Sequence, residues 1–194
     1  MGGFISIFDS YIKYNFHVGL AVLSLAQITA LDFGVNLHFT HQMIFFTAPF
    51  LGYNFIKFHL FYWKTNIFKP FRIKFLIGFI VSSALLLWWV VFYLPLSSLW
   101  LFFFTLVLVL LYCLPFPGFK INFRGFKGLK IHLVALSWVL MTVFLPISLE
   151  GKAISGFSLV YGLQRYLFVL VATLPFEIRD LDVDHPNLST WPQR

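Results

Sequence analysis

Four of the seven acidic residues in this chain of 194 fall within eight positions: Glu177, Asp180, Asp182 and Asp184 in the string FEIRDLDVDHPNLST. On a helix continued through that string, Glu177, Asp180 and Asp184 are spaced i, i+3, i+7 and share one face, while Asp182 points elsewhere. Three carboxylates on one face repel one another unless a cation lies between them. Oxygen ligands suit a hard ion, and a few carboxylates at a membrane surface suit Mg²⁺ carrying a phosphate-bearing substrate. The competing reading is a solvated acidic end whose charges merely avoid the bilayer. Against it, negative charge near a helix C-terminus opposes the helix dipole, and solubility alone is met as well by Ser, Asn or Lys.

The elements that position this cluster follow from composition. Hydrophobic residues make up 60% of the chain and charged residues 11%, with 27 Phe, 8 Tyr and 6 Trp, against about 45–50% and about 25% in soluble domains. Too few polar side chains remain to coat a globule, so the solvent for this fold is lipid. One cysteine, Cys113, excludes a disulfide or zinc scaffold within the chain. Apolar runs of roughly 20 residues, the length that crosses a bilayer, predict six spans at 14–34, 42–63, 74–94, 96–114, 131–149 and 154–177. The expected fold is an all-α, polytopic transmembrane helical bundle forming a single integral membrane domain over 1–194. Pro70, Pro95 and the run Pro115, Pro117, Gly118 punctuate the runs. Small residues at helical spacing, Gly78 with Ser82 and Ser158 with Gly162, are expected to let helices approach closely.

Basic residues set the expected orientation, because short cytoplasmic loops retain Lys and Arg. Lys64, Lys69, Arg72 and Lys74 follow the second run, and Lys120, Arg124, Lys127 and Lys130 lie between the fourth and fifth. The connection from Asp32 to His41 has neither. The N-terminus and the acidic string are therefore expected on the cytoplasmic side of a bacterial inner membrane. The net charge of +7 is what this topology requires, so nucleic acid is not an expected partner.

The run RDLDVD from Arg179 to Asp184, followed by Ser189-Thr190-Trp191-Pro192-Gln193, resembles the second aspartate motif of the UbiA-type intramembrane prenyltransferases. In that family the pattern is DxxxD, often within an IRDxxxD string, after the sixth span on the cytoplasmic side. Asp180 and Asp184 match its two aspartates, and Glu177 stands where many members carry a further Asp. The opening YIKYNFHVGLAVLSLAQIT also looks like the family's first helix. The resemblance implies that Asp180, Asp184 and Glu177 hold Mg²⁺, that Asp180 and Asp184 are catalytic, and that the substrates are an isoprenyl diphosphate and an acceptor it does not identify.

Two departures accompany the likeness. The family's other motif, NDxxDxxxD near the end of its second helix, aligns with Asn54 onward, but Phe55, Phe58 and Tyr62 occupy the aspartate positions. The family bundle also has nine spans, so the expectation is a C-terminally truncated bundle. In place of the lost acids stand Asn54 and Lys57, i, i+3 neighbours, which with Arg179 are the candidate substrate contacts; Lys57 alternatively snorkels to the surface. Arg165 lies roughly 22 Å along the helix from Asp180. A buried Arg in lipid is rare and usually paired, and Asp32 is the expected partner among Gln164, Asp32 and Glu150. His17, His38, His41, His59 and His132 lack ligand spacing and read as interfacial or packing residues. The rival to prenyl transfer is a non-catalytic, degenerate family member, or a small transporter or scaffold whose acidic cluster binds a cation or a basic tail.

Overall fold

The computed structural model describes residues 11–12, 14–62, 70–113 and 129–179. Every regular element among them is helical: α1 (Phe16–Phe33), α2 (Phe39–Tyr62), α3 (Pro70–Tyr93), α4 (Leu96–Cys113), α5 (Leu129–Val139), a π-helical segment (Leu140–Phe144), α6 (Leu145–Leu149) and α7 (Gly156–Arg179). With α5, the π segment and α6 taken as one rod, the six expected runs each receive a helix. Four are long and apolar enough to cross a membrane: Phe16–Phe33, Leu96–Cys113, Leu129–Leu149 and Gly156–Pro175. Within α3 the described apolar stretch is Ile77–Val90. Helices are what lipid demands, since a helix satisfies its backbone groups internally where no water can.

Contacts divide the chain into two compact units, Met1–Leu99 and Trp100–Arg194. In the first, α1 packs on α2 and α2 on α3. Helix α1 opens after Asn15, which is in the left-handed conformation (φ 60°, ψ 25°), a region that Asn tolerates better than most residues. It closes at Gly34 (φ 62°), where Gly34 N–H and Val35 N–H donate to the carbonyls of Leu31 and Ala30. This is the reversed end that glycine permits after a helix. Between these ends, a Cβ added at Gly19 would lie 2.8 Å from the Phe46 carbonyl oxygen and 3.0 Å from its ring, so the two backbones meet where the side chain is missing. Phe16 then stacks obliquely on Phe50 at 4.8 Å.

The second unit is built round α7, which packs on α5 and on the π segment. Its start is capped reciprocally: Ser155 N–H donates to Ser158 Oγ, and Ser158 N–H to Ser155 Oγ. The buried face of α7 is Ser158, Gly162, Arg165 and Val169, while Phe157, Leu163, Leu167, Phe168 and Val171 are exposed. That polarity is reversed from a soluble helix and matches an apolar solvent. The π segment precedes Pro146, whose nitrogen has no hydrogen to give and whose ring would crowd the carbonyl four residues back. The register widens instead, with Leu145 N–H donating to Leu140 O. Gly162 meets this bulge, where an added Cβ would stand 2.9 Å from the tip of the Phe144 ring.

Among the described residues, Gly162 meets a neighbour as expected, whereas Gly78 does not. Gly78 has nothing within 4 Å of an added Cβ, and the Ser82 hydroxyl donates to the Gly78 carbonyl of its own helix. Small residues permit close packing only where a neighbouring helix presents itself. Pro70, expected as a break before the third run, is the first residue of α3, a position where a missing N–H costs nothing.

Candidate functional site

Asp180 and Asp184 lie outside the described residues, as do Asp182 and the Thr190 loop. Helix α7 continues to Arg179, the residue before Asp180, so Glu177 and Arg179 occupy its last turn; their side chains are not described. The helix carries Pro175 in its interior. Among the described residues no three of His, Cys, Asp and Glu come together as metal ligands.

Asn54 and Lys57 both lie on α2. Asn54 Nδ2 donates to the carbonyls of Tyr14 (2.9 Å) and Phe50 (2.8 Å), and its Oδ1 accepts from Asn15 Nδ2 at 3.2 Å. Both amide protons are spent, one of them on the chain just before α1. Asn54 therefore fixes the left-handed turn at Asn15 against α2. Phe55, at the first lost aspartate position, stacks on Phe79 of α3 at 5.7 Å and 19°. Of the positions where the family would have acid, Phe55 builds a helix contact; the side chains of Phe58 and Tyr62 are not described. Lys57, one turn on, is half-buried.

The second unit holds a polar seam that the sequence reading did not foresee as a group. Arg165 is 7% exposed; its Nη2 donates to the Tyr161 hydroxyl at 3.1 Å and its guanidinium carbon lies 5.5 Å from the Tyr161 ring centroid. Hydrogen bond and π face together hold the charge from one turn away on the same helix. A second tyrosine of α7, Tyr166, shares a short hydrogen bond with Nδ1 of His132 on α5, the two rings lying nearly parallel at 13°. Lys130, expected as a loop cation, is buried in the first turn of α5. The signal available in sequence was the spacing Tyr161, Arg165, Tyr166 within one apolar run.

Glu150 is paired at 3.6 Å with Lys152, its near neighbour in the turn before α7. Hydroxyls elsewhere in the helices turn back on their own backbones, as Thr29 does on Leu25, Thr105 on Leu101 and Thr142 on Trp138. Such bonds satisfy buried hydroxyls within their own helix.

At the other end of the first unit, His41 lies in the first turn of α2. Burial holds its imidazole below the ordinary value near 6.5, against a hydrogen bond to the Tyr93 backbone that favours charge, with His38 adding to the lowering. Among the described residues its Nδ1 is buried without a hydrogen-bond partner, as are His17 Nδ1 and Trp89 Nε1. Against protein-family models, curated proteins and solved structures alike, the chain finds no match.

Proposed function

We propose that this chain is a UbiA-like membrane prenyltransferase, with six spans and the acidic string on the cytoplasmic side, that transfers an isoprenyl group from an isoprenyl diphosphate to an acceptor. The observation that carries the reading is the string Glu177, Arg179, Asp180, Asp184 with its Thr190 loop, which begins in the last turn of an apolar helix of 24 residues. Its donor set, three carboxylates with no thiolate, fits Mg²⁺.

Bound Mg²⁺ would neutralise charge on the departing diphosphate, the part metals play with other transferred phosphates. Asp180 and Asp184 would hold it, Glu177 would add a third oxygen donor, and Arg179 would supply positive charge to the diphosphate oxygens. Within the first unit, Asn54 keeps the start of α1 fixed against α2. The isoprenyl tail takes its place among Phe and Trp side chains, whose faces attract the positive charge that develops as the carbon–oxygen bond opens.

A second reading, a non-catalytic relative, is favoured by one observation: Asn54 and Phe55, where the family would hold half of its metal site, are engaged in packing. Membranes from cells expressing the protein distinguish the two. Under the first reading they transfer a labelled isoprenyl group in Mg²⁺, lose the activity in EDTA, and lose it in Asp180→Ala. Transfer that survives Asp180→Ala overturns the site, and membranes that never transfer at all favour the second reading.

A further inference from the structure

The prenyl-transfer reading makes no use of the connection between α1 and α2. His38 and His41 flank the start of α2, with His41 N–H donating to the His38 carbonyl at 2.9 Å. That short turn brings the two imidazoles together, ring centroids 5.8 Å apart and planes tilted by 59°. His38 is exposed and His41 half-buried.

The two nitrogens of the His41 ring are in different situations. One side of the ring bonds to the backbone of Tyr93, while Nδ1 is buried and has no hydrogen-bond partner. Since Nδ1 has no partner among the described residues, the bond to the Tyr93 backbone is assigned to Nε2, which leaves the lone pair on Nδ1. A histidine that donates through one nitrogen to a backbone carbonyl and keeps the other for a ligand is the arrangement found at metal centres.

The spacing agrees. With metal–nitrogen bonds of about 2.0–2.1 Å, an imidazole centroid stands roughly 3.2 Å from its ion, so two rings on one ion lie roughly 5.2 Å apart at the tetrahedral angle and roughly 6.4 Å apart when opposed. The observed separation falls between these limits. Trp89 Nε1, the other orphan nearby in the sequence of α3, is a donor only and cannot ligate.

We propose that His38 and His41 form a two-imidazole site for a divalent transition-metal ion, Zn²⁺ or Cu²⁺, with Nδ1 of His41 as the fixed ligand and the exposed His38 as the ligand on the solvent side. Imidazole selects such ions over Mg²⁺. Among the described residues no third His, Cys, Asp or Glu joins the pair, so the pair supplies two ligands. The Tyr93 carbonyl acts through His41 as a positioning group.

The test uses the full chain purified in detergent, stripped with EDTA and titrated with Cu²⁺ under electron paramagnetic resonance. One ion binds per chain, with hyperfine coupling to two imidazole nitrogens. Binding weakens by about tenfold or more in His38→Ala and in His41→Ala and is unchanged in His17→Ala and His132→Ala. His38 is exposed, so its variant keeps the fold, and equal melting of that variant and the wild type without metal verifies this. Added Zn²⁺ raises the melting temperature of the wild type and not of His38→Ala. Wild-type affinity in His38→Ala, coupling to fewer than two nitrogens, or a loss that follows His17→Ala instead overturns the site. Prenyl transfer is no part of the readout, so this proposal and the preceding one fail separately.

Discussion

Two places in the molecule set polar side chains into apolar helix packing, and they use them differently. At the α1–α2 contact, Asn54 bonds chiefly to backbone: two carbonyls receive its amide protons, and the contact below it is closed by the backbone of Phe46 against Gly19. In the α5–α7 seam, side chains bond to side chains, His132 to Tyr166 and Arg165 to Tyr161, and the close contact at Gly162 is with the tip of the Phe144 ring. Polarity in the first place fixes shape. In the second it keeps charge within a span, where every ionisable group is costly and commonly serves function.

The contrast is sharpest at the glycines. Gly19→Ala sets a methyl against a carbonyl oxygen that cannot turn away, and the expected cost is about 3 kcal/mol, at the upper end of overpacking, read as a fall in melting temperature in detergent. Gly162→Ala meets a ring tip that can shift by a few tenths of an ångström, and about 1 kcal/mol is expected; Gly78→Ala, facing open space, leaves melting unchanged or slightly raised. Equal costs at Gly19 and Gly162 would erase the distinction between the two regions.

Asn54→Ala removes three hydrogen bonds, among them the one from the Asn15 side chain, for an expected loss of about 2 kcal/mol. Tyr161→Phe keeps the aromatic face under Arg165 and removes only the hydroxyl, with about 1 kcal/mol expected in a membrane helix. Thermal melts in one detergent rank the two, and a reversed order breaks the comparison.

The smallest effect is that of pH. The folded state holds the His41 pKa below its ordinary value, so the unfolded chain binds the proton more readily. Stability from this group is therefore complete above about 6.5 and is lost as pH falls through the folded-state pKa. His41→Gln flattens that acid limb of the melting curve, while His17→Gln leaves it in place.

Much of this architecture is legible in the sequence because lipid enforces length. The expected run 96–114 appears as Leu96–Cys113 and 14–34 as Phe16–Phe33, since apolar runs end where Gly34 or Pro95 interrupts them. Partnership between helices is not legible in the same way. Gly78–Ser82 and Ser158–Gly162 have the same spacing, yet only the second faces a neighbour. The π segment escaped because its cause, Pro146, acts on the register of the turn before it. Asn54 looked like the remnant of a metal motif because the residue type fits both uses, and only its bonds to Tyr14 and Phe50 reveal the one it has here. His38 and His41 were passed over because their closeness arises from a turn at the start of α2, which helical periodicity does not encode. Asp180 and Asp184 remain known by spacing and by their place after Arg179.

We propose that prenyl-transfer chemistry belongs to the string at the end of α7 and beyond, Glu177 to Asp184. The most direct test is the rate of isoprenyl transfer as a function of Mg²⁺ concentration, wild type beside Asp184→Asn, with melting temperature recorded for both. The account predicts a rate that saturates with Mg²⁺ in the wild type and falls by about a hundredfold or more in Asp184→Asn, as for loss of other charge-stabilising groups, at unchanged melting temperature. Transfer by Asp184→Asn at the wild-type rate, or a wild-type rate indifferent to Mg²⁺, would contradict it.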